Sequence, residues 1–221
     1  MNNGLFISLE GPEGSGKSTI INKLYDWLVE LIENKSINFF GVIKTREPGG
    51  YNNKLCEDIR NLILSDSYDI PPLTDALLFA ASRSYHLEST IIPALKKNYI
   101  VLCDRFVDSS YVYQGFSTSL GVEKVIKINK LATNNILPNL TLVLMVNAEV
   151  GLERIKINNR ETNKIDNKPI EYHKKIEEYY RELANIDCEN RIHYIDANSS
   201  SINTILDNCK EVILKYIHGH K

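Results

Sequence analysis

The stretch Leu-Phe-Ile-Ser-Leu-Glu-Gly-Pro-Glu-Gly-Ser-Gly-Lys-Ser-Thr, residues 5–19, decides the fold. Its first part, 5–9, is a short apolar run that predicts a buried β-strand. Residues 11–18 then match the pattern G-x-x-x-x-G-K-[ST], which is typical of a loop that binds phosphate. A pattern that fixes only four positions also arises by chance, as a plain glycine-rich turn. Because it follows an apolar run and precedes a helical pattern here, we favour the phosphate-binding interpretation.

The residue types in this loop suit that chemistry. Glycine adopts backbone angles that other residues avoid, so successive N–H groups can turn inward onto phosphate oxygens. We expect Lys17 to reach the β- and γ-phosphates of a nucleotide and the Ser18 hydroxyl to ligate Mg²⁺. The predicted nucleotide-binding residues are Gly11, Pro12, Glu13, Gly14, Ser15, Gly16, Lys17, Ser18 and Thr19.

The composition argues against several classes of protein. The chain has 221 residues, 43% of them hydrophobic, which suits a single α/β domain over residues 1–221, although the length alone would allow two. A formal net charge of −2 gives no sign of a nucleic-acid-binding or membrane-surface protein. We find neither a leader pattern nor an apolar run of about 18 residues, and therefore expect a cytoplasmic protein without a membrane partner.

The cysteines are widely spaced and contain no C-x-x-C motif, which argues against a zinc site and a disulfide framework. We expect them to be small, mostly buried thiols. They are Cys56, Cys103, Cys188 and Cys209.

Apolar runs alternate with helical patterns along the rest of the chain. We predict further strands at 39–45, 99–103, 140–146 and 191–195. We predict helices at 17–33, 55–64, 74–98, 122–135, 150–158, 170–184 and 202–217, with a kink or break at Pro93. Such an alternation indicates a three-layer α/β sandwich, in which helices cover both faces of a five-stranded parallel sheet.

Polar residues follow three of the predicted strands, where parallel sheets bind their ligands. Asp104 follows the third strand and could hold Mg²⁺, or could cap the next helix. Arg105 beside it and Arg46 after the second strand could clamp a phosphate, because a guanidinium group binds phosphate bidentately. Arg46 could instead pair with Glu47 in solvent. Two such arginines opposite a phosphate-binding loop indicate a second phosphate, and hence a kinase with a small phosphorylated acceptor.

Two further segments offer groups that could bind a base or a sugar. Phe79 and Arg83 are four residues apart, so they share one face of a helix. They could stack on and hydrogen-bond a planar base, or one could be core and the other solvated. The polar and aromatic segment 108–115 offers hydroxyls, a phenol and an amide, but could equally be an ordinary polar loop.

The segment 154–168 is locally basic and is a candidate lid. A lid near the phosphates could place positive charge on the transferring phosphoryl group, whereas the alternative is a solvated helix end. Its basic residues include Arg154, Lys156, Arg160 and Lys164. Residues 163–166, Asn-Lys-Ile-Asp, match the guanine-reading signature of GTP-binding switch proteins. They follow a polar stretch rather than an apolar strand, and no D-x-x-G precedes them, so we disfavour that reading.

Taken together, the motifs resemble the thymidylate kinase family. The segments that carry the resemblance are T-R-E-P-G-G at 45–50, L-L-F-A-A-S-R at 77–83, D-R-F at 104–106, S-S-Y-V-Y-Q-G at 109–115, P-N-L-T-L-V-L at 138–144 and E-V-G-L-E-R at 149–154. The resemblance implies the P-loop nucleoside monophosphate kinase fold, usually as a homodimer. It also implies transfer of the γ-phosphate of ATP to dTMP with Mg²⁺ as cofactor, in dTTP biosynthesis.

The resemblance also implies roles for residues in the acceptor site. Arg46 and Arg105 would hold the dTMP phosphate. Phe79 would stack on thymine, and Arg83 would bond a thymine oxygen.

The remaining acceptor residues would surround the base and the sugar. Ser110 and Gln114 would lie beside the base, and Tyr113 would crowd the 2′ position of the sugar. Glu13 would approach the sugar and the acceptor phosphate.

The chain departs from the family pattern at two places. Met145 stands where an acidic residue is common after the fourth strand, and Lys164 stands where the lid commonly has an arginine. Because lysine does not replace arginine at a bidentate site, we expect Arg154 or Arg160 to supply the catalytic charge, beside Lys17 and Arg105. Two alternatives remain open: a kinase for another monophosphate such as dUMP, and a switch protein that hydrolyses nucleotide slowly.

Overall fold

The computed structural model describes residues 4–51, 53–157, 165–187, 189–198 and 201–219. Its strands are β1 (Leu5–Glu10), β2 (Gly41–Arg46), β3 (Tyr99–Asp104), β4 (Leu140–Met145) and β5 (Ile192–Asp196). They form one sheet in the order β2-β3-β1-β4-β5, and every neighbouring pair is parallel. The predicted five-stranded parallel sheet is therefore confirmed.

The helices cover both faces of this sheet. They are α1 (Lys17–Glu33), α2 (Lys54–Leu64), α3 (Pro72–His86), α4 (Ile92–Lys96), α5 (Val107–Ser110), α6 (Val122–Thr133), α7 (Ala148–Ile157), α8 (Ile170–Glu182) and α9 (Ile202–Gly219). Two π-helical turns, Leu87–Ile91 and Tyr111–Phe116, and one 3₁₀ turn, Leu183–Asn185, complete them.

The alternation of side chains along β1 explains the three layers, because successive residues of a strand point to opposite faces. Leu5, Ile7 and Leu9 pack with α1 and α9 in one apolar core. Phe6, between them, packs into a second core with α4, α6 and α8 on the other face. On that second face β1 also carries the buried polar residues Ser8 and Glu10. A buried carboxylate in a central strand needs partners, and these lie in the site described below.

The long helix predicted for 74–98 is interrupted. The helix α3 ends at His86, the wider π-helical turn Leu87–Ile91 follows, and α4 begins at Ile92. Proline lacks an N–H group, and its ring clashes with the carbonyl four residues earlier, so a regular helix cannot continue through Pro93. The predicted break is confirmed, and it begins one turn before the proline.

The segment 108–115 is helical, although the sequence analysis predicted no helix there. It forms α5 and the following π-helical turn, and Asp108, Ser109 and Ser110 are buried. Polar side chains usually compete with helix formation, but here partners on other elements satisfy them. The other predicted elements agree with those observed to within two residues at each end.

Cys56, Cys103 and Cys209 are buried free thiols, as expected, and Cys188 lies outside the described residues. In the described part of the chain, no helix combines the length and the apolar character needed to cross a membrane.

Candidate active site

The loop between β1 and α1 has the backbone of a phosphate-binding loop. Gly11, Gly14 and Gly16 have φ angles of 134°, 72° and 90°, in the region that favours glycine. The loop also rests closely on α7, because a side chain on Gly14 would begin 2.1 Å from the carbonyl oxygen of Gly151. Both the conformation and the contact therefore require glycine at position 14.

Lys17 lies folded within this loop. Its Nζ donates to the carbonyl oxygens of Gly11 and Pro12 at 2.9 and 2.7 Å, and to Ser15 Oγ at 3.1 Å. Burial, and then the positive charge of Arg105, lowers the pKa of Lys17 to about 7. Bound phosphates would favour the charged form and raise this pKa again.

Ser18 and Asp104, the two residues predicted to hold Mg²⁺, lie close together at the carboxyl end of the sheet. Ser18 Oγ lies 3.5 Å from Asp104 Oδ2, and both residues line the same cavity. Among the described residues no group of three or more histidine, cysteine or acidic side chains could hold a metal. A hydroxyl and one carboxylate nevertheless fit Mg²⁺, which keeps several waters and takes other ligands from substrate phosphates.

A cavity of about 790 Å³ runs along this edge of the sheet. Most of the residues predicted for the site line it, namely Glu13, Gly14, Gly16, Lys17, Ser18, Thr19, Arg46, Phe79, Asp104, Arg105, Tyr113 and Arg154. The topology explains this convergence, because the carboxyl ends of β1, β2 and β3 lie side by side.

Arg46 ends β2 and projects into the cavity. Its Nη2 atom bonds both carboxylate oxygens of Glu57 at 3.1 and 3.0 Å, and its guanidinium carbon lies 5.0 Å from the centre of the Tyr51 ring. The predicted alternative, a solvent-exposed pair with Glu47, is wrong, because Glu47 is buried and pairs with Arg83. Arg46 Nε is buried and has no hydrogen-bond partner among the residues that the structure describes, so within them this donor is available to a ligand.

Arg105 is held in an unusual backbone conformation directly after β3. Its φ of 70° is costly for a residue with a side chain, and such angles cluster at functional sites. Its Nη1 donates to Ser109 Oγ at 3.0 Å and to the Tyr180 hydroxyl at 2.8 Å, and its Nη2 lies 3.2 Å from Glu13 Oε1. The guanidinium group is therefore fixed from three sides.

Glu13 lies at the centre of the cavity wall. Its Oε1 also accepts from the Tyr113 hydroxyl at 2.6 Å. Burial would raise the pKa of Glu13, but His173, Arg105 and Lys17 outweigh burial and lower it to about 2. Glu13 is therefore ionised, and it lines the cavity as an anion between the cations Arg105 and Lys17.

Three predicted acceptor residues lie behind the cavity wall. Arg83 is 2% exposed, bonds Glu47 Oε2 through Nε at 2.6 Å, and also donates to the Asn129 amide oxygen. Ser110 and Gln114 are buried as well, and Gln114 donates to Asp75 Oδ2 at 3.1 Å. Neither Arg83, Ser110 nor Gln114 lines the cavity, so their roles in base binding stay predictions.

The structure adds residues that the sequence analysis missed. Arg60 lines the cavity and donates to the Pro48 carbonyl at 2.7 Å; burial and the nearby charge of Arg46 lower its pKa. Crowded guanidinium groups of this kind favour an anion between them. The start of α9 contributes the lining residues Ser201, Ile202 and Ile205. No motif marks these positions, since they are brought here only by the fold.

The structure describes only part of the predicted lid. Arg154 lies in the last turn of α7, lines the cavity and donates to the Asn198 carbonyl at 2.8 Å. Residues 165–168 form a turn before α8. Arg160 and Lys164 lie outside the described residues, so the lid at 154–168 and its catalytic arginine stay predictions.

Comparison with known proteins decides the family. The model of the family described as thymidylate kinase matches residues 9–208. A thymidylate kinase of Clostridium novyi is 46% identical over 200 residues, which cover 90% of this chain and 93% of that protein. The chain belongs to the thymidylate kinase family.

Two more proteins support this membership of the thymidylate kinase family. A thymidylate kinase of Geobacillus thermodenitrificans is 44% identical over 221 residues, covering 99% of this chain and 93% of its own. The crystal structure of thymidylate kinase from Ehrlichia chaffeensis superimposes with a TM-score of 0.73 at 26% identity, over 96% of this chain and 98% of that one. The predicted kinase fold is thus confirmed, and this member of the thymidylate kinase family is a phosphotransferase.

Proposed function

We propose that this protein transfers the γ-phosphoryl group of ATP to dTMP, giving dTDP and ADP. The observation that supports the proposal is a group of arginines that lines the same cavity as the phosphate-binding loop and could bind a second phosphate. Arg46 and Arg105 reach the cavity from the ends of neighbouring strands, and Arg60 lies beside them. A protein that only hydrolyses nucleotide has no use for a second phosphate site, so this arrangement favours a kinase.

The protein contributes mainly position and charge, because phosphoryl transfer needs little covalent help. In this proposal the loop N–H groups and Lys17 bind the donor phosphates, and Ser18 and Asp104 hold Mg²⁺. The metal, when bound, neutralises charge on the phosphate oxygens. Arg105 and Arg46 fix the acceptor phosphate so that one of its oxygens faces the γ-phosphorus. In this proposal Tyr113, whose ring centre is 5.2 Å from the guanidinium carbon of Arg105, excludes a 2′-hydroxyl from the sugar site.

The test is release of ADP across a panel of monophosphates, including dTMP, dUMP, UMP and AMP. We expect dTMP to stimulate ADP release most strongly, and the deoxy form to be preferred to the ribo form. If dUMP is the better acceptor, the substrate is misassigned but the kinase stands. If no monophosphate stimulates ADP release above the rate with ATP alone, the protein is a hydrolase and the proposal is wrong.

We further propose that the protein forms a homodimer through α3 and α6. Leu73 and Leu77 on α3 are each 51% exposed, and Leu131 on α6 is 86% exposed. Exposed leucines grouped on neighbouring helices are typical of a protein interface. Light scattering should give twice the mass of the 25.2 kDa chain, and the double variant Leu77→Glu, Leu131→Glu should give a monomer. Phe40→Glu, a change at an equally exposed residue elsewhere, should leave the dimer intact.

A cytoplasmic location stays a prediction.

A further inference from the structure

His173 faces the Glu13 carboxylate from the side opposite to Arg105. It lies near the start of α8, its side chain is 4% exposed, and its Nδ1 is 3.8 Å from Glu13 Oε2. That distance suits an ion pair but exceeds a hydrogen bond. Within the described ranges of the chain, Glu13 Oε2 and His173 Nε2 are both buried and have no hydrogen-bond partner. A movement of roughly 1 Å would bring His173 Nδ1 within hydrogen-bond distance of Glu13 Oε2.

The other oxygen of Glu13 is fully used. Glu13 Oε1 accepts from the Tyr113 hydroxyl and from Arg105, which also holds Ser109 and Tyr180. An acceptor phosphate on Arg105 would compete with Glu13 for the guanidinium charge. Glu13 would then be a buried carboxylate between phosphate groups, and a buried charge that loses its partner is costly.

We propose that His173 is a positioning residue of the acceptor site, which acts through Glu13. In its protonated form it balances the charge of the Glu13 carboxylate when an acceptor phosphate binds Arg105. Glu13 thus stays ionised, and it continues to hold the Tyr113 hydroxyl against the sugar. The inference rests on the proposed function, since it concerns the same acceptor site.

The surrounding charges support a protonated imidazole. The pKa of His173 is raised, chiefly by the Glu13 carboxylate, while burial opposes the shift. Asp166, in the turn before α8, adds negative charge, and Glu177 lies one turn further along α8. Arg105 and Lys17 are the cations that share the Glu13 carboxylate with His173. No sequence motif marks His173, because its role depends on the approach of α8 to the phosphate-binding loop.

A histidine titration tests the pairing without any measurement of turnover. The ring resonances of labelled histidine are followed against pH in the wild type and in Glu13→Gln, and His173→Asn identifies the His173 signal. We expect a His173 pKa above the usual value of about 6.5 in the wild type, and a lower one in Glu13→Gln. A pKa at or below that of a free histidine, or one unchanged by Glu13→Gln, would overturn the proposal. Because neither outcome depends on dTMP turnover, this test is separate from that of the proposed function.

Kinetics test the positioning role. We expect His173→Leu to raise the KM for dTMP about tenfold, the effect of losing one charge-assisted hydrogen bond, with the KM for ATP little changed. His173→Asn keeps a donor near Nδ1 and should recover much of that loss. The control His193→Leu, in β5, should leave both KM values near those of the wild type. Equal increases in both KM values, or the same increase in His193→Leu, would show a merely structural role. If His173→Leu fails to fold, the histidine titration in the wild type and in Glu13→Gln decides.

The pH dependence separates charge from shape. A raised folded-state pKa means that the stabilising charge is present at low pH and is lost as pH rises through that pKa. The ratio of the KM of His173→Leu to that of the wild type, for dTMP, should therefore be largest at low pH and shrink as pH rises. Titration of the substrate phosphate, near pH 6, cancels in this ratio. A ratio that is constant with pH would contradict a protonated His173.

Discussion

Buried charges around the cavity are matched by partners of opposite sign. Glu47 accepts from Arg83 at 2.6 Å and lies 3.0 Å from the buried His86 ring. Asp108 holds Arg191 through two bonds of 2.7 Å. Removing one member of such a pair costs about 3–5 kcal/mol, because the other is left as an unpaired buried charge. These pairs thus make the site rigid, and substitutions within them test stability rather than binding.

Arg46 offers a cleaner test of binding, because its side chain is one-third exposed and, in the described part of the chain, forms an ion pair with Glu57 alone. Arg46→Ala should raise the KM for dTMP by a factor on the order of 10–100, the effect of losing a charge-assisted contact to phosphate. The KM for ATP should change little, and so should the thermal unfolding temperature. Lys44→Ala, two residues earlier on β2, is the matched control. If Arg46→Ala raised only the KM for ATP, Arg46 would belong to the ATP site rather than to the dTMP site.

Glu10 makes stability depend on pH. Its carboxylate is fully buried and accepts from the Phe106 N–H at 2.6 Å and from the Ser109 hydroxyl. Burial, and then the charge of Asp108, raises its pKa from 4.5 to about 7. The folded state therefore binds this proton more tightly than the unfolded chain, and the free energy of unfolding should fall as pH rises from about 4.5 to 7.

The matched variant is Glu10→Gln, which keeps the shape without the charge. Its free energy of unfolding should exceed the wild-type value at pH 8 by on the order of 2 kcal/mol, and by less at pH 5. Urea titrations of both proteins at the two pH values measure the difference. If the difference were the same at both pH values, Glu10 would not be the titrating group.

Single positions show what the sequence could predict. The spacing of Phe79 and Arg83 placed them on one helix face, and Phe79 does line the cavity. Arg83 is buried because it pairs with Glu47, which comes from a distant loop. No local sequence pattern predicts that pairing. The same holds for His173, which the fold alone brings to Glu13. Motifs with a fixed local geometry were predictable, whereas pairs between distant elements were not.

At the scale of elements, α7 connects the phosphate-binding loop to the predicted lid. Its first turns pack so closely on the loop that a side chain on Gly151 would begin 2.4 Å from the Glu13 carbonyl oxygen. Its last turn carries Arg154 into the cavity. Any movement of α7 therefore reaches the loop as well as Arg154.

Arg154→Ala tests this helix as the source of catalytic charge. An arginine that acts only on the transition state should affect kcat more than either KM, and such residues contribute up to about 10³-fold in favourable systems. We expect kcat to fall by at least about tenfold with both KM values within about twofold. Lys156→Ala, two residues further along α7, is the control. A wild-type kcat in Arg154→Ala would leave Arg160 and Lys164 as the remaining candidates.

The elements also show why the segment 107–116 was not predicted as helical. Its serines and its aspartate favour turns in isolation, but Glu10, Arg191 and Asn129 bond them from other elements. Tertiary partners therefore override local preference here. The strands β1, β3 and β4, whose residues are mostly buried, carried no such conflict, and all five strands were predicted to within two residues at each end.

At the scale of the whole molecule, the residues proposed for two phosphate sites share one edge of the sheet. The loop after β1 would supply the donor site, and the residues after β2 and β3 would supply the acceptor site. The strand order places β3 between β1 and β2, so that Arg105, directly after β3, lies between the two proposed sites. In the proposed function, this arrangement favours transfer between two bound phosphates over transfer to water.

The most direct test of the proposed phosphoryl transfer is to follow the phosphorus nuclei of the substrates and products. The protein is mixed with ATP, dTMP and Mg²⁺, and the products are resolved by ³¹P nuclear magnetic resonance. We predict that the β-phosphorus signal of dTDP grows in step with that of ADP, one for one, with no inorganic phosphate. Growth of ADP together with inorganic phosphate, and without dTDP, would contradict the account.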